Sequence, residues 1–161
     1  MSRLAPETAV HAVSAHAHQA PDRRRWADVL KHRWPTWLGI ATAAFFIVIA
    51  EWLPPDFGAW MLVLAALVYL VFGAVRKQLW SPGLLALETA GVLVFSTLAL
   101  AALSVDQDLG RYLLAAGWLG HAAWDFAHHR ADKVVPRWYA ELCAVVDVLI
   151  AAFLIVIVPM L

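Results

Sequence analysis

Five long runs of apolar residues divide the chain, at about 36–53, 58–75, 83–105, 109–128 and 138–160. Each is close to the roughly 17–25 residues that a helix needs to cross bilayer hydrocarbon, and too long for a strand. The breaks between them hold turn formers: Pro54-Pro55, Ser81-Pro82-Gly83, the stretch from Asp106 to Gly110, and Pro136. Backbone polar groups have no water to bond inside lipid, so the runs predict helices and the breaks predict turns at the membrane surfaces. The expected fold class is all-α, an integral membrane helical bundle of about five transmembrane helices over residues 36–161. Residues 1–35 lack the pattern. The first twenty carry Ala, Ser, Pro and the histidines His11, His16 and His18, and read as a disordered tail. Arg23, Arg24, Arg25, Lys31 and Arg33 follow, interleaved with Trp26, Val29, Leu30 and Trp34. That mix predicts a short helix on an anionic membrane surface.

Composition strengthens this picture. Of 161 residues, 63% are apolar and 15% charged. A soluble domain of this size has a large surface for its volume and needs more charge to cover it. Twelve basic residues balance twelve acidic ones, which speaks against a nucleic-acid partner. The single cysteine, Cys143, leaves no internal disulfide to form.

Charge placement sets an expected orientation. With a cytoplasmic N-terminus, the inner side holds Arg3, Arg23, Arg24, Arg25, Lys31, Arg33, Arg76, Lys77, Arg130, Lys133 and Arg137. Of the twelve basic residues, only Arg111 falls outside. The positive-inside rule therefore predicts five spans in the plasma (inner) membrane, with the N-terminus cytoplasmic and the C-terminus outside. Trp34, Trp37, Trp52, Trp60, Trp80 and Trp138 fall near the expected interfaces, as an aromatic belt does.

Ionisable residues within the apolar runs carry the candidate chemistry, because a charge in mid-bilayer costs a few kcal/mol. His121, Asp125 and His128 are spaced i, i+4, i+7 and lie within about 60° of one another on a helix. His129 lies about 80° round from His121, at the edge of that face. At 1.5 Å per residue, His121 lies roughly 12 Å from the inner surface, Asp125 roughly 6 Å, Glu88 roughly 9 Å and Asp147 roughly 13 Å. Three helices thus bring polar residues to the same half of the membrane. Glu51 stands apart, near the outer end of the first run. Neutral imidazole and carboxylate are ligands for zinc, iron or manganese. The expected metal ligands are His121, Asp125, His128 and His129. Asp147 is a catalytic candidate that would serve, as His129 would, either as a fourth ligand or as a hydrogen-bond partner that orients a ligating histidine, and Glu88 is a carboxylate free for acid–base work.

The residues Gly117-Trp118-Leu119-Gly120-His121-Ala122-Ala123-Trp124-Asp125-Phe126-Ala127-His128-His129 read GWLxHxxWDxxHH, and Cys143-Ala144-Val145-Val146-Asp147 reads CAxxD. This pairing resembles a family of small multi-pass membrane proteins of bacteria and fungi. The resemblance implies a multi-helix membrane fold, and it implies that His121, Trp124, Asp125, His128, His129 and Asp147 form one motif. It brings no activity with it. The histidine run also has some similarity to the boxes of membrane di-iron desaturases and hydroxylases, which use several boxes where this chain has one.

Three functions fit these residues. The first is a metal-dependent membrane enzyme, a hydrolase or oxidoreductase, acting on a lipid-like substrate. The second is a proton- or ion-coupled carrier, since buried carboxylates and histidines also make proton relays. Five spans are few for a carrier, so that reading carries an expectation of a homo-oligomer. The third is an accessory subunit whose polar groups bond helix to helix. In each the lipid bilayer is the first partner.

Overall fold

A computed structural model describes residues 30–157. The expected tail, with His11, His16, His18 and Arg23 to Arg25, lies outside the described residues, as do residues 158–161. The described residues form helices joined by short turns, with no strand among them. The helices are α1 (Trp34–Ile49), α2 (Phe57–Val75), α3 (Pro82–Leu103), α4 (Gln107–Ala131) and α5 (Arg137–Ala152). A 3₁₀ turn, Ala50–Trp52, follows α1, and a π-helical turn, Phe153–Ile157, continues α5. The five predicted runs thus each become one helix.

Local chemistry sets the ends. Pro35 and Pro82 sit in the first turns of α1 and α3, where a missing N–H removes no helical bond. Asp106 caps α4, its carboxylate accepting from the Leu109 N–H at 3.0 Å. Asp108 stands in the first turn of α4, and His128, His129 and Arg130 in its last, each on the side the helix dipole favours. α1 tightens into the 3₁₀ turn ahead of Pro54-Pro55, which cannot continue a helix. Val134, in the turn before α5, has φ 66, a backbone state that a β-branched residue rarely adopts. Two contacts hold it there: its side chain is fully buried, and its N–H donates to Gln78 Oε1 at 2.6 Å.

α2, the segment Arg137–Ile157 and α3 are each long and apolar enough to cross a membrane. α1 is apolar but shorter, with 16 residues. α4 has 25 residues and carries the polar stripe. The distribution of polarity is the reverse of a water-soluble domain. Among the described residues the buried polar side chains are Glu88, His121, Asp125, His128 and Asp147, all at 6% exposure or less. Phe45, Val71, Leu93 and Phe126 stand outward, each about 60% exposed. All six tryptophans of the expected belt are exposed as well. Apolar residues outside and ionisable residues inside are what a lipid surrounding demands, so the chain is an all-α membrane helical bundle.

α5 packs against α4 and α1, while α2 packs against α3, and α3 against α4. Small residues let these helices approach closely. A Cβ on Gly39 of α1 would come within 2.8 Å of the Leu142 carbonyl oxygen and 3.0 Å of Val145 Cβ, both on α5. Backbone cannot yield there, so Gly39→Ala should push α1 off α5 and destabilise the bundle by about 1–3 kcal/mol. Gly83→Ala is the control, since a Cβ there meets nothing within 4 Å. Thermal unfolding in detergent reads both, and equal midpoints for the two variants would contradict the close approach of α1 to α5.

Candidate functional site

α4 supplies the spine of the site. The i, i+4, i+7 spacing of His121, Asp125 and His128 turns all three toward the interior, where they are buried. Three neighbouring helices complete it, with Tyr69 from α2, Glu88 from α3 and Asp147 from α5.

The side chains form two linked groups. In the first, His121 Nδ1 lies 2.8 Å from Asp147 Oδ2 and 3.6 Å from Asp125 Oδ1. The short contact is best met by an Nδ1–H donating to Asp147, which leaves Nε2 as the acceptor nitrogen. The Tyr69 hydroxyl donates to Asp125 Oδ1. In the second group, His128 Nε2 lies 2.8 Å from Glu88 Oε1. His128 Nδ1 lies 2.9 Å from the Trp124 carbonyl oxygen of its own helix. A carbonyl only accepts, so Nδ1 carries a hydrogen. The Glu88–His128 contact then shares one further proton, held either as an imidazolium–carboxylate pair or as a carboxylic acid donating to imidazole.

Aromatic rings wall the two groups in. The Tyr69 ring stands edge-on to both imidazoles, with centroids 5.6 Å from His121 and 4.9 Å from His128. Phe95 packs on His121 at 4.9 Å and Trp124 on His128 at 5.1 Å. Several buried polar atoms nevertheless find no hydrogen-bond partner among the described residues: Glu88 Oε2, Trp118 Nε1, His121 Nε2 and Asp125 Oδ2. Two of these atoms belong to the first group.

His121, Asp125 and Asp147 each offer one ligand atom, and the three atoms lie within 4.8 Å of one another. This buried trio could hold a metal ion. Its charges need a counterpart, because two carboxylates beside one imidazole carry excess negative charge when ionised, and an uncompensated buried charge costs several kcal/mol. Either a proton or a cation can supply the balance.

Of the residues singled out by sequence, His121, Asp125 and Asp147 come together as one group. His128 and Glu88 form the adjoining pair and are not within the trio. His129 is half-buried on another side of α4, lining a groove between α1, α4 and α5 with Arg33 and Glu141. Glu141 accepts from the Thr36 hydroxyl and lies 3.5 Å from Arg33, fastening α5 to α1. Glu51 falls on the 3₁₀ turn. Arg111, the basic residue of the expected outer side, donates to Asp108 at 3.1 Å and to the Leu154 carbonyl at 3.2 Å. Tyr69 was not singled out by sequence. Its signal was a lone hydroxyl in the otherwise apolar run of α2, since a buried tyrosine O–H needs a partner.

No family model, curated protein or solved structure matches the chain. The chemistry of the site therefore carries the functional reading alone.

Proposed function

We propose that His121, Asp125 and Asp147 hold a divalent transition metal, and that the protein is a metal-dependent membrane enzyme acting on a lipid-like substrate. One observation carries this reading: three ligand atoms from two helices gather within 4.8 Å at a fully buried position. One nitrogen and two carboxylate oxygens suit zinc, iron or manganese. Three protein ligands leave a coordination position open for water or substrate, the pattern of catalytic rather than structural sites. Tyr69 orients Asp125 through its hydroxyl, as outer partners commonly do for metal ligands. The metal, when bound, would supply Lewis acidity or an activated oxygen ligand. His128, close by on the same stripe, and its partner Glu88 of α3 would hold and exchange a proton.

The same reading places the protein across the plasma membrane five times with the N-terminus cytoplasmic. α4 contains 25 residues, about 37 Å at 1.5 Å per residue, which exceeds the roughly 30 Å of hydrocarbon. Short turns join it to α3 and α5, so it runs back across the bilayer between them. Its polar stripe faces the bundle interior and so does not meet lipid.

Metal binding to the folded state should raise stability. Metal-stripped protein given zinc, iron(II) or manganese at a hundredfold excess over Kd should gain about 2.7 kcal/mol, a rise in melting temperature of roughly 5–10 °C. Asp125→Asn should show no such rise. The reading fails if no metal shifts the wild type, or if Asp125→Asn responds equally.

A second reading has its own support. Glu88–His128, Tyr69–Asp125 and His121–Asp147 are hydrogen-bonded pairs of proton-carrying groups, spread over two turns of α4. A proton- or ion-coupled carrier needs such a series. A well-folded wild type that takes up no metal would shift the weight to it.

A further inference from the structure

Beside the buried trio lies a cleft that meets the two groups of polar side chains only at Asp147. α1 leans on α5, and α2 leans on α3 and on α4. Near the loop that joins them, α1 and α2 approach where Phe46 packs on Phe57, with centroids 6.0 Å apart. Between these two helices is a cavity of about 380 Å³. Its floor is α5 together with Leu114 and Trp118 of α4, and its walls include Thr42 of α1 and Gly58 and Ala65 of α2.

Shape and surroundings limit what can occupy it. The lining runs along α5 and into the π-helical turn that continues it, from Tyr139 to Leu154, about 22 Å at 1.5 Å per residue. A peptide helix, about 10 Å across, would fill about 1,700 Å³ over that length and does not fit. The length exceeds the roughly 15 Å depth of one hydrocarbon leaflet. The cavity is therefore long, slender and mostly apolar. Leu64, half-exposed, lines its edge, and Phe45 and Val71 stand outward on the flanking helices. The medium at the mouth is thus bilayer hydrocarbon, and what it offers in quantity is a single flexible lipid chain.

We infer that this cleft binds one fatty-acyl chain of a membrane lipid, admitted sideways between α1 and α2. Asp147 lines the cavity close to midway between Tyr139 and Leu154. The chain therefore passes the His121–Asp125–Asp147 group at its middle and keeps its polar end at the membrane surface. The inference names the substrate class for the proposed enzyme and rests on that reading for its purpose. The cleft itself depends only on the shape of the bundle.

The test uses the full chain in phosphatidylcholine vesicles containing a palmitate with a photoreactive diazirine on its chain. After illumination, labelled peptides are mapped by mass spectrometry. Label should concentrate on the cavity-lining residues Thr42, Ala65 and Cys143, about tenfold over the outward residues Val71 and Leu93, as a preference of ~1.4 kcal/mol gives. Excess oleate should compete it away, and Ala65→Phe or Gly58→Leu, which fill the cleft, should each reduce it. Label spread evenly over the outward faces, or undiminished by oleate, would overturn the inference. Asp125→Ala separates the two readings, because Asp125 is not part of the lining. Concentrated labelling in wild type and Asp125→Ala upholds the cleft even if neither protein binds metal. Dispersed labelling in a wild type that does bind metal rejects the cleft alone.

Discussion

Replacing Glu88 by leucine should destabilise the bundle by about 2–3 kcal/mol, although the change makes α3 more apolar. An average interhelical hydrogen bond in a membrane contributes only about 0.6 kcal/mol. The larger figure follows from what is left behind. His128 Nε2 sits at 2.8 Å from Glu88 Oε1, and both side chains are buried, so the imidazole loses its partner with no water to replace it. The Trp124 carbonyl already occupies Nδ1 and fixes the ring, which prevents His128 from turning to another acceptor. Glu88→Leu combined with His128→Phe should recover most of the loss, because removing both members of a buried pair leaves no orphan. Unfolding in detergent of the two single variants and the double variant completes the cycle. A double variant as unstable as the sum of the singles would show that the pair does not act as a unit.

Metal affinity should separate the ligands from the polar residues around them. His121→Ala, Asp125→Ala and Asp147→Ala each remove one of three ligands, and each should lower affinity by at least the 10–100-fold that loss of a mere outer partner costs. His129→Ala should bind as the wild type does, since His129 lines a different groove with Arg33 and Glu141. Glu88→Gln should also retain metal, because Glu88 bonds to His128 rather than to the trio. Tyr69→Phe should fall between the classes at about 10-fold, through loss of the hydroxyl that orients Asp125. Titration of stripped protein with zinc or manganese measures all six variants. A His129→Ala protein that loses metal as fully as His121→Ala would rule out this ligand set.

Much of the fold was legible in the sequence because lipid imposes one rule on every backbone group. The five apolar runs became five helices, and Pro54-Pro55, Pro82 and Pro136 marked their boundaries. The stripe of α4 was legible too, since 100° per residue fixes which of its residues share a face. Partnership between helices was not legible, because periodicity says nothing of how a neighbouring helix is rotated or how deep it sits. Glu88 read as a free carboxylate, but α3 turns it onto His128. His129 read as the edge of the stripe, and the structure turns it to the other groove. Tyr69 passed as one more large residue of α2, yet it bonds Asp125 and packs against both imidazoles. The cleft depends on α1 leaning on α5 rather than lying along α2, which no single-helix pattern encodes.

Metal content of the purified protein tests the central claim most directly. The full chain, freed of any affinity tag and with His11, His16 and His18 changed to alanine, is purified in detergent and measured by inductively coupled plasma mass spectrometry. His121→Ala in the same background runs alongside, with helix content checked by circular dichroism. A bound ion at His121, Asp125 and Asp147 predicts about one zinc, iron or manganese per chain in the first protein and none in the second. Well-folded protein without metal, or equal metal in both, would contradict it.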